Sequence, residues 1–150
     1  MNVLVNRRRM LGGLLSLIAL GVAPLKVLAR VTKAFQATEL DGVYAELFAD
    51  MEIIESADIK MRIPDIAENG AVVPVSISTS LENVQSIHVI IDQNPNPLSA
   101  SFELTDSSPA DISTRVKMGK SSVVRAMVKT VDKVYMTQQQ VKVTIGGCGG

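Results

Sequence analysis

Tryptophan is absent from the 150 residues, and only two Tyr and three Phe are present. Any core is therefore aliphatic, built from Val, Ile, Leu and Met. One His and one Cys fall short of the ligand cluster that a metal site requires, so no metal is expected. No CxxCH segment is present to hold a c-type haem, and neither GxxxxGK[ST] nor GxGxxG is there to cradle a nucleotide. The seven Met are scattered, which suits gap-filling better than copper binding. No bilayer-length apolar run occurs either: the longest, residues 10–23, falls short of the roughly 18–20 residues a spanning helix needs.

Positive charge is scarce where it would matter for nucleic acid. The 15 basic and 15 acidic residues cancel, but Arg7, Arg8, Arg9 and Lys26 all precede residue 30, where no acid is found. The remainder is mildly acidic and offers no basic stripe, so nucleic acid is not an expected partner.

What is present at the N-terminus reads as an address. Arg7 to Arg9 form a positive region, residues 10–23 an apolar one, and Pro24 then breaks any helix. Val27-Leu28-Ala29 offers compact residues for cleavage. The string NRRRMLGG fits a twin-arginine signal with Arg7 and Arg8 as the pair. Residues 1–29 are thus expected to be a signal peptide, the chain to be periplasmic, and the mature protein to be free of the membrane. Export makes the unpaired Cys148 unusual, because exported domains use cysteines in pairs.

Four segments follow from the pattern: the signal peptide, a helical segment at 30–57, a β-sandwich at 58–145 and a terminal arm at 146–150. Within 36–50, Leu40, Val43, Tyr44, Leu47 and Phe48 fall at helical spacing, and Thr38 with Asp41 resembles a capping box. From residue 58 the period becomes two. Ile59, Met61 and Ile63 alternate with Lys60 and Arg62. Glu68-Asn69-Gly70 reads as a turn, and further strands are expected at 73–79, 86–92, 99–105, 111–118, 122–130 and 133–145. Roughly seven strands with turn residues between them describe a mainly β fold, an immunoglobulin-like antiparallel β-sandwich preceded by an amphipathic helix. His88 is expected to be a packed strand residue.

The ending GGCGG places Cys148 among Gly146, Gly147, Gly149 and Gly150. Residues without Cβ have wide backbone freedom, so a flexible, narrow arm is expected, a thiol on a tether. A thiol with a pKa near 8.5 is only a few per cent thiolate at neutral pH. No His is adjacent and no second residue completes a dyad, so no catalytic residue is assigned and the chain is expected to be no enzyme.

These residues resemble the SoxY family, sulfur-carrier subunits of the Sox thiosulfate-oxidising system. The resemblance lies in KVTIGGCGG (142–150), IAENGAVVPVSI (66–77), NPNPLSASFEL (94–104) and the strands TRVKM and VVRAMVKT. The last hairpin turn, VDKV, lacks the Gly expected there. The resemblance implies that Cys148 carries the substrate covalently, as S-thiosulfonate and persulfide adducts, with no permanently bound cofactor. It also implies a heterodimer with a SoxZ-like β-sandwich subunit. Transient docking is implied to a SoxAX-like c-type cytochrome, a SoxB-like hydrolase and, in some systems, a sulfur dehydrogenase. Two rival readings share the ending. An exported adaptor would use Cys148 only for an intermolecular disulfide, and a ubiquitin-like sulfur carrier would use the terminal Gly-Gly without needing the thiol.

Overall fold

The run VQSIHVII has no polar face, and a strand of that kind must be covered on both sides. The computed structural model, which describes residues 29–49 and 51–144, shows how. This run is β5 (Val84–Ile91), inside a sheet ordered β1-β9-β8-β5-β6. Its companions are β1 (Ile53–Glu55), β6 (Leu98–Glu103), β8 (Ser122–Thr130) and β9 (Val134–Val143), with β3 (Ile66–Ala67) also on β9. A second sheet, β2-β4-β7, packs on one face and comprises β2 (Ile59–Arg62), β4 (Val73–Thr79) and β7 (Asp111–Val116). The opposite face of the larger sheet is covered by two helices, α1 (residues 29–36) and α2 (Leu40–Leu47).

Strand parity sorts the apolar residues between two cores. Ile87, Val89 and Ile91 of β5 join Val124, Ala126 and Val128 of β8 and Val75 and Ile77 of β4 between the sheets. Ile90 and Met127 point the other way and meet Val43, Leu47 and Phe48 of the helical layer. The expected sandwich and its leading helix are therefore both present. In β8 the letters Val124, Ala126 and Val128 alternate with Arg125, Met127 and Lys129, which by period two alone sets Met127 on the outer face. Met127 is fully buried, because the outer face of this sheet is roofed by helix.

The helical signal divides in two. The capping box does not form: Glu39, with extended backbone, is the N-cap of α2 and makes no side-chain cap bond. One residue of shift puts Gly42 at the third helical position, where a reciprocal carboxylate would be needed. α2 ends on Ala49 at φ 49°, and the Lys129 ammonium donates to the Leu47 carbonyl at 3.1 Å, a cation at the negative end of the helix. No helix among the described residues is long and apolar enough to cross a membrane.

Two strands, β1 and β3, escaped the sequence reading, and both are short. β1 pairs parallel with the start of β9, and β3 parallel with its end. Between them the chain leaves this sheet, runs as β2 in the other, and returns. The segment 30–57 thus contains β1 besides the two helices.

Phe48 pins the helical layer. It is buried to 1% exposure, 5.8 Å from the Tyr44 ring and 5.5 Å edge-on from the His88 ring. Phe48→Ala is expected to cost about 3–5 kcal/mol, read by chemical denaturation with near-ultraviolet dichroism following Tyr44.

Candidate functional site

The tethered-thiol reading makes the end of β9 the structural question, because the tether starts there. Cys148, the glycines Gly146, Gly147, Gly149 and Gly150, and the signal residues Arg7 and Arg8 lie outside the described residues. What the structure places is the base of the arm.

That base is clamped from both sides. On one edge the Lys142 amide donates to the Asp65 carbonyl at 2.8 Å and the Thr144 amide to the Ala67 carbonyl at 3.0 Å. On the other, Ser122 pairs with Val141, and the Val143 amide donates to the Ser121 hydroxyl at 2.9 Å. The Gln139 amide spans the gap between β1 and β3, reaching the Ile63 carbonyl at 3.1 Å and an Asp65 carboxylate oxygen at 2.8 Å. Every backbone amide from Lys142 to Thr144 has an acceptor.

The turn Glu68-Asn69-Gly70 closes the site from below. Asn69 accepts the Ala71 amide at 3.0 Å through its side chain, a local turn of the kind Asn favours. Gly70 is there for closeness and not for an unusual φ, since no glycine among the described residues has positive φ. Its carbonyl accepts the Met118 amide at 2.7 Å. A Cβ at this position would collide with the Met118 carbonyl oxygen and lie 2.9 Å from Val143 Cγ1. Gly70, Met118 and Val143 therefore stack in one contact under the exit of the chain. The turn was legible in sequence, but its contact with the arm base was not, because that contact joins residues far apart in the chain.

His88 belongs elsewhere. It is 1% exposed, its Nε2 lies 2.8 Å from the Ser86 hydroxyl and its Nδ1 3.0 Å from that of Ser101. Desolvation lowers its pKa from 6.5 to about 4, with the Lys129 charge adding to the effect, so the ring is neutral at pH 7. Both nitrogens are satisfied and the residue packs, as expected. Among the described residues no three His, Cys, Asp or Glu converge as metal ligands. A cleft of about 440 Å³ runs beside His88, lined by Arg30, Glu46, Glu103 and Lys129. It also touches Val131 in the β8–β9 turn, so it lies at the far end of the sheet from Thr144.

Two tests follow. Gly70→Ala is expected to destabilise the protein by about 1–3 kcal/mol and to speed amide exchange at Val143 and Thr144 more than in β5. His88 favours the neutral ring in the folded state, so its contribution is complete above pH 6.5 and is lost as pH falls toward about 4. The loss amounts to about 3 kcal/mol. Urea midpoints between pH 7 and 4 should fall in the parent, whereas His88→Gln should flatten that part of the profile.

Along residues 44–148 the chain is similar to the family described as Sulfur oxidation protein SoxY. That span starts within α2 and ends on Cys148. Among solved structures it is similar to the sulfur carrier protein SoxY from Chlorobium limicola f thiosulfatophilum. The two share 36% identity and a TM-score of 0.65, over 71% of this chain and 97% of that one. The superoxide reductase (neelaredoxin) from Ignicoccus hospitalis is 14% identical, with a TM-score of 0.52 over 57% of this chain and 80% of that one. At that identity the likeness is one of fold alone. No curated protein matches the chain.

Proposed function

Since the chain belongs to the SoxY family of sulfur oxidation proteins, we propose that it carries sulfur substrate covalently on Cys148, in the periplasm, and presents it to successive enzymes. The observation that carries this reading is the family match, which spans residues 44–148 and so reaches Cys148. The clamp at the end of β9 supports it in physical terms. Thr144 is held by Ala67, so Cys148 stands four residues past a fixed point, at most about 14 Å away in extended chain. A thiol within that reach meets a partner's active site only when the sandwich itself docks.

Loading joins the Cys148 sulfur to the outer sulfur of thiosulfate. A new S–S bond forms, the thiol proton goes to solvent, and two electrons leave to an oxidant, the role proposed for a SoxAX-like c-type cytochrome. Water then attacks the terminal sulfone sulfur in a SoxB-like hydrolase. Sulfate departs and the persulfide stays on Cys148. A sulfur dehydrogenase is a further recipient in this reading, and a SoxZ-like subunit is the standing partner. Export through the twin-arginine signal at Arg7 and Arg8 places the folded chain where these partners work. The chain contributes the nucleophile and its placement, and the chemistry resides in the enzymes that receive it.

Intact mass of protein from cells grown on thiosulfate tests the proposal. Adducts of thiosulfate or sulfane sulfur are expected on the C-terminal peptide, removable by reductant and missing in Cys148→Ser. A Cys148 found only free, glutathionylated or disulfide-dimerised overturns it.

A further inference from the structure

Glu103 of β6, Ser86 of β5 and Lys129 of β8 stand in one row across the larger sheet, since Ser86 is paired with both of the others. Strand parity puts the row on the helical side, with Ile90 and Met127. Neighbouring strands lie about 4.8 Å apart, so the carboxylate and the ammonium rise from backbone positions about 10 Å apart. All three side chains line the cleft of about 440 Å³ beside His88, a volume within the roughly 300–1,000 Å³ of small-molecule sites. Arg30 of α1, Glu46 of α2 and Asp106, just past β6, complete the charged lining.

These charges are not paired with one another. The ion pairs among the described residues are Arg125–Asp92 and Lys133–Glu52, and neither belongs to the cleft. Lys129 is half-buried, and the Leu47 carbonyl at 3.1 Å takes one of its three donors. Desolvation pushes the Glu103 carboxyl up from its ordinary range, and the Lys129 charge offsets only part of that. A cation brought to Glu103 relieves it. Between the two, the Ser86 hydroxyl lies 2.8 Å from His88 Nε2 and keeps capacity for a further bond. The lining also selects by charge. A simple anion meets Glu46, Glu103 and Asp106 against Arg30 and Lys129, and a simple cation meets the half-buried Lys129 in the floor. A molecule carrying both charges is matched at both ends.

We propose that this cleft binds a small zwitterion of the ω-amino acid kind, its ammonium at Glu103, its carboxylate at Lys129 and its chain over Ser86. Cys148 takes no part in the site. The cleft reaches Val131 in the β8–β9 turn, at the far end of the sheet from Thr144, so a bound molecule leaves the exit of the arm clear. Its walls come from α1 and α2 and its floor from the sheet, and such an occupant touches both layers at once.

The test follows backbone amide resonances of the full chain while three probes are added in turn. δ-Aminovalerate carries an ammonium and a carboxylate at the ends of a short methylene chain, valerate only the anion, and pentylamine only the cation. Saturable shifts at the Ser86, Glu103 and Lys129 amides are expected with δ-aminovalerate, at a concentration about tenfold below that needed for either single-charge probe. Glu103→Gln, a neutral replacement of the same shape at an exposed position, should reduce δ-aminovalerate to the affinity that the same variant shows for valerate. Lys129→Gln, which keeps a donor for the Leu47 carbonyl, should reduce it to that of pentylamine. The parent chain alone can overturn the site: no saturable shift at the three amides does so, and so does a single-charge probe that binds as tightly as δ-aminovalerate. An affinity for δ-aminovalerate that neither substitution changes overturns it as well. Each of these results leaves the carrier reading of Cys148 standing.

Discussion

β9 is bonded along both edges, and the rest of the molecule is arranged around that fact. One edge is taken up by β8 in an ordinary antiparallel ladder. The other is shared by β1 and β3, two short pieces of one N-terminal stretch that visits the second sheet between them. A final strand on the open margin of a sheet would fray at its end, where hydrogen bonds are fewest. Here the end is the better-held part: Asp65, Ala67 and Ser121 take the amides of Lys142, Thr144 and Val143 in turn. The detour through β2 ties the same stretch into the main core, since Ile59 is buried among the residues between the sheets. Pulling on the C-terminus therefore loads both sheets together.

The helical layer makes this possible without adding to the site. β5 and β8 bury side chains on both faces, and one sheet cannot cover both. By roofing the outer face, α1 and α2 free the strands to be Val- and Ile-rich throughout, which stiffens the sheet that β9 belongs to. Some polarity is carried under that roof, and it is matched in full: His88 lies between Ser86 and Ser101, and no buried side-chain nitrogen or oxygen of the described residues lacks a partner. The fixed pairing of Arg125 with Asp92, two bonds of 2.8 Å, closes the same layer at the end near the arm.

Much of this was legible in sequence, and the limits have physical causes. Alternation in 122–130 and 73–79 marks the strands because one face of each must differ from the other. The Asn69-Gly70 turn is visible for the same local reason. β1 and β3 were not, because three and two residues are too few to show a period and their pairing partner lies far along the chain. The capping box at Thr38 failed because a cap depends on a single residue of register, which periodicity does not resolve. Met127 shows a subtler limit: alternation tells which residues share a face, but not whether both faces are buried. The site divides in the same way. Cys148 and its glycines stand out as letters, whereas the clamp of Ala67, Ser121 and Gly70 exists only once distant segments meet.

Charge shows why counting residues was a weak guide to this site. A net of zero, from 15 basic and 15 acidic residues, bears on whether many cations align as a nucleic-acid surface needs. It says nothing of which charges meet. Folding sets Arg125 on β8 against Asp92, just past the end of β5, in two bonds of 2.8 Å, and Lys133 against Glu52 at 3.3 Å. It turns Lys129 to the Leu47 carbonyl, where the ammonium meets the negative end of α2 and adds to the desolvation that keeps His88 neutral. One cation thus serves the helical layer twice, and only the fold shows it.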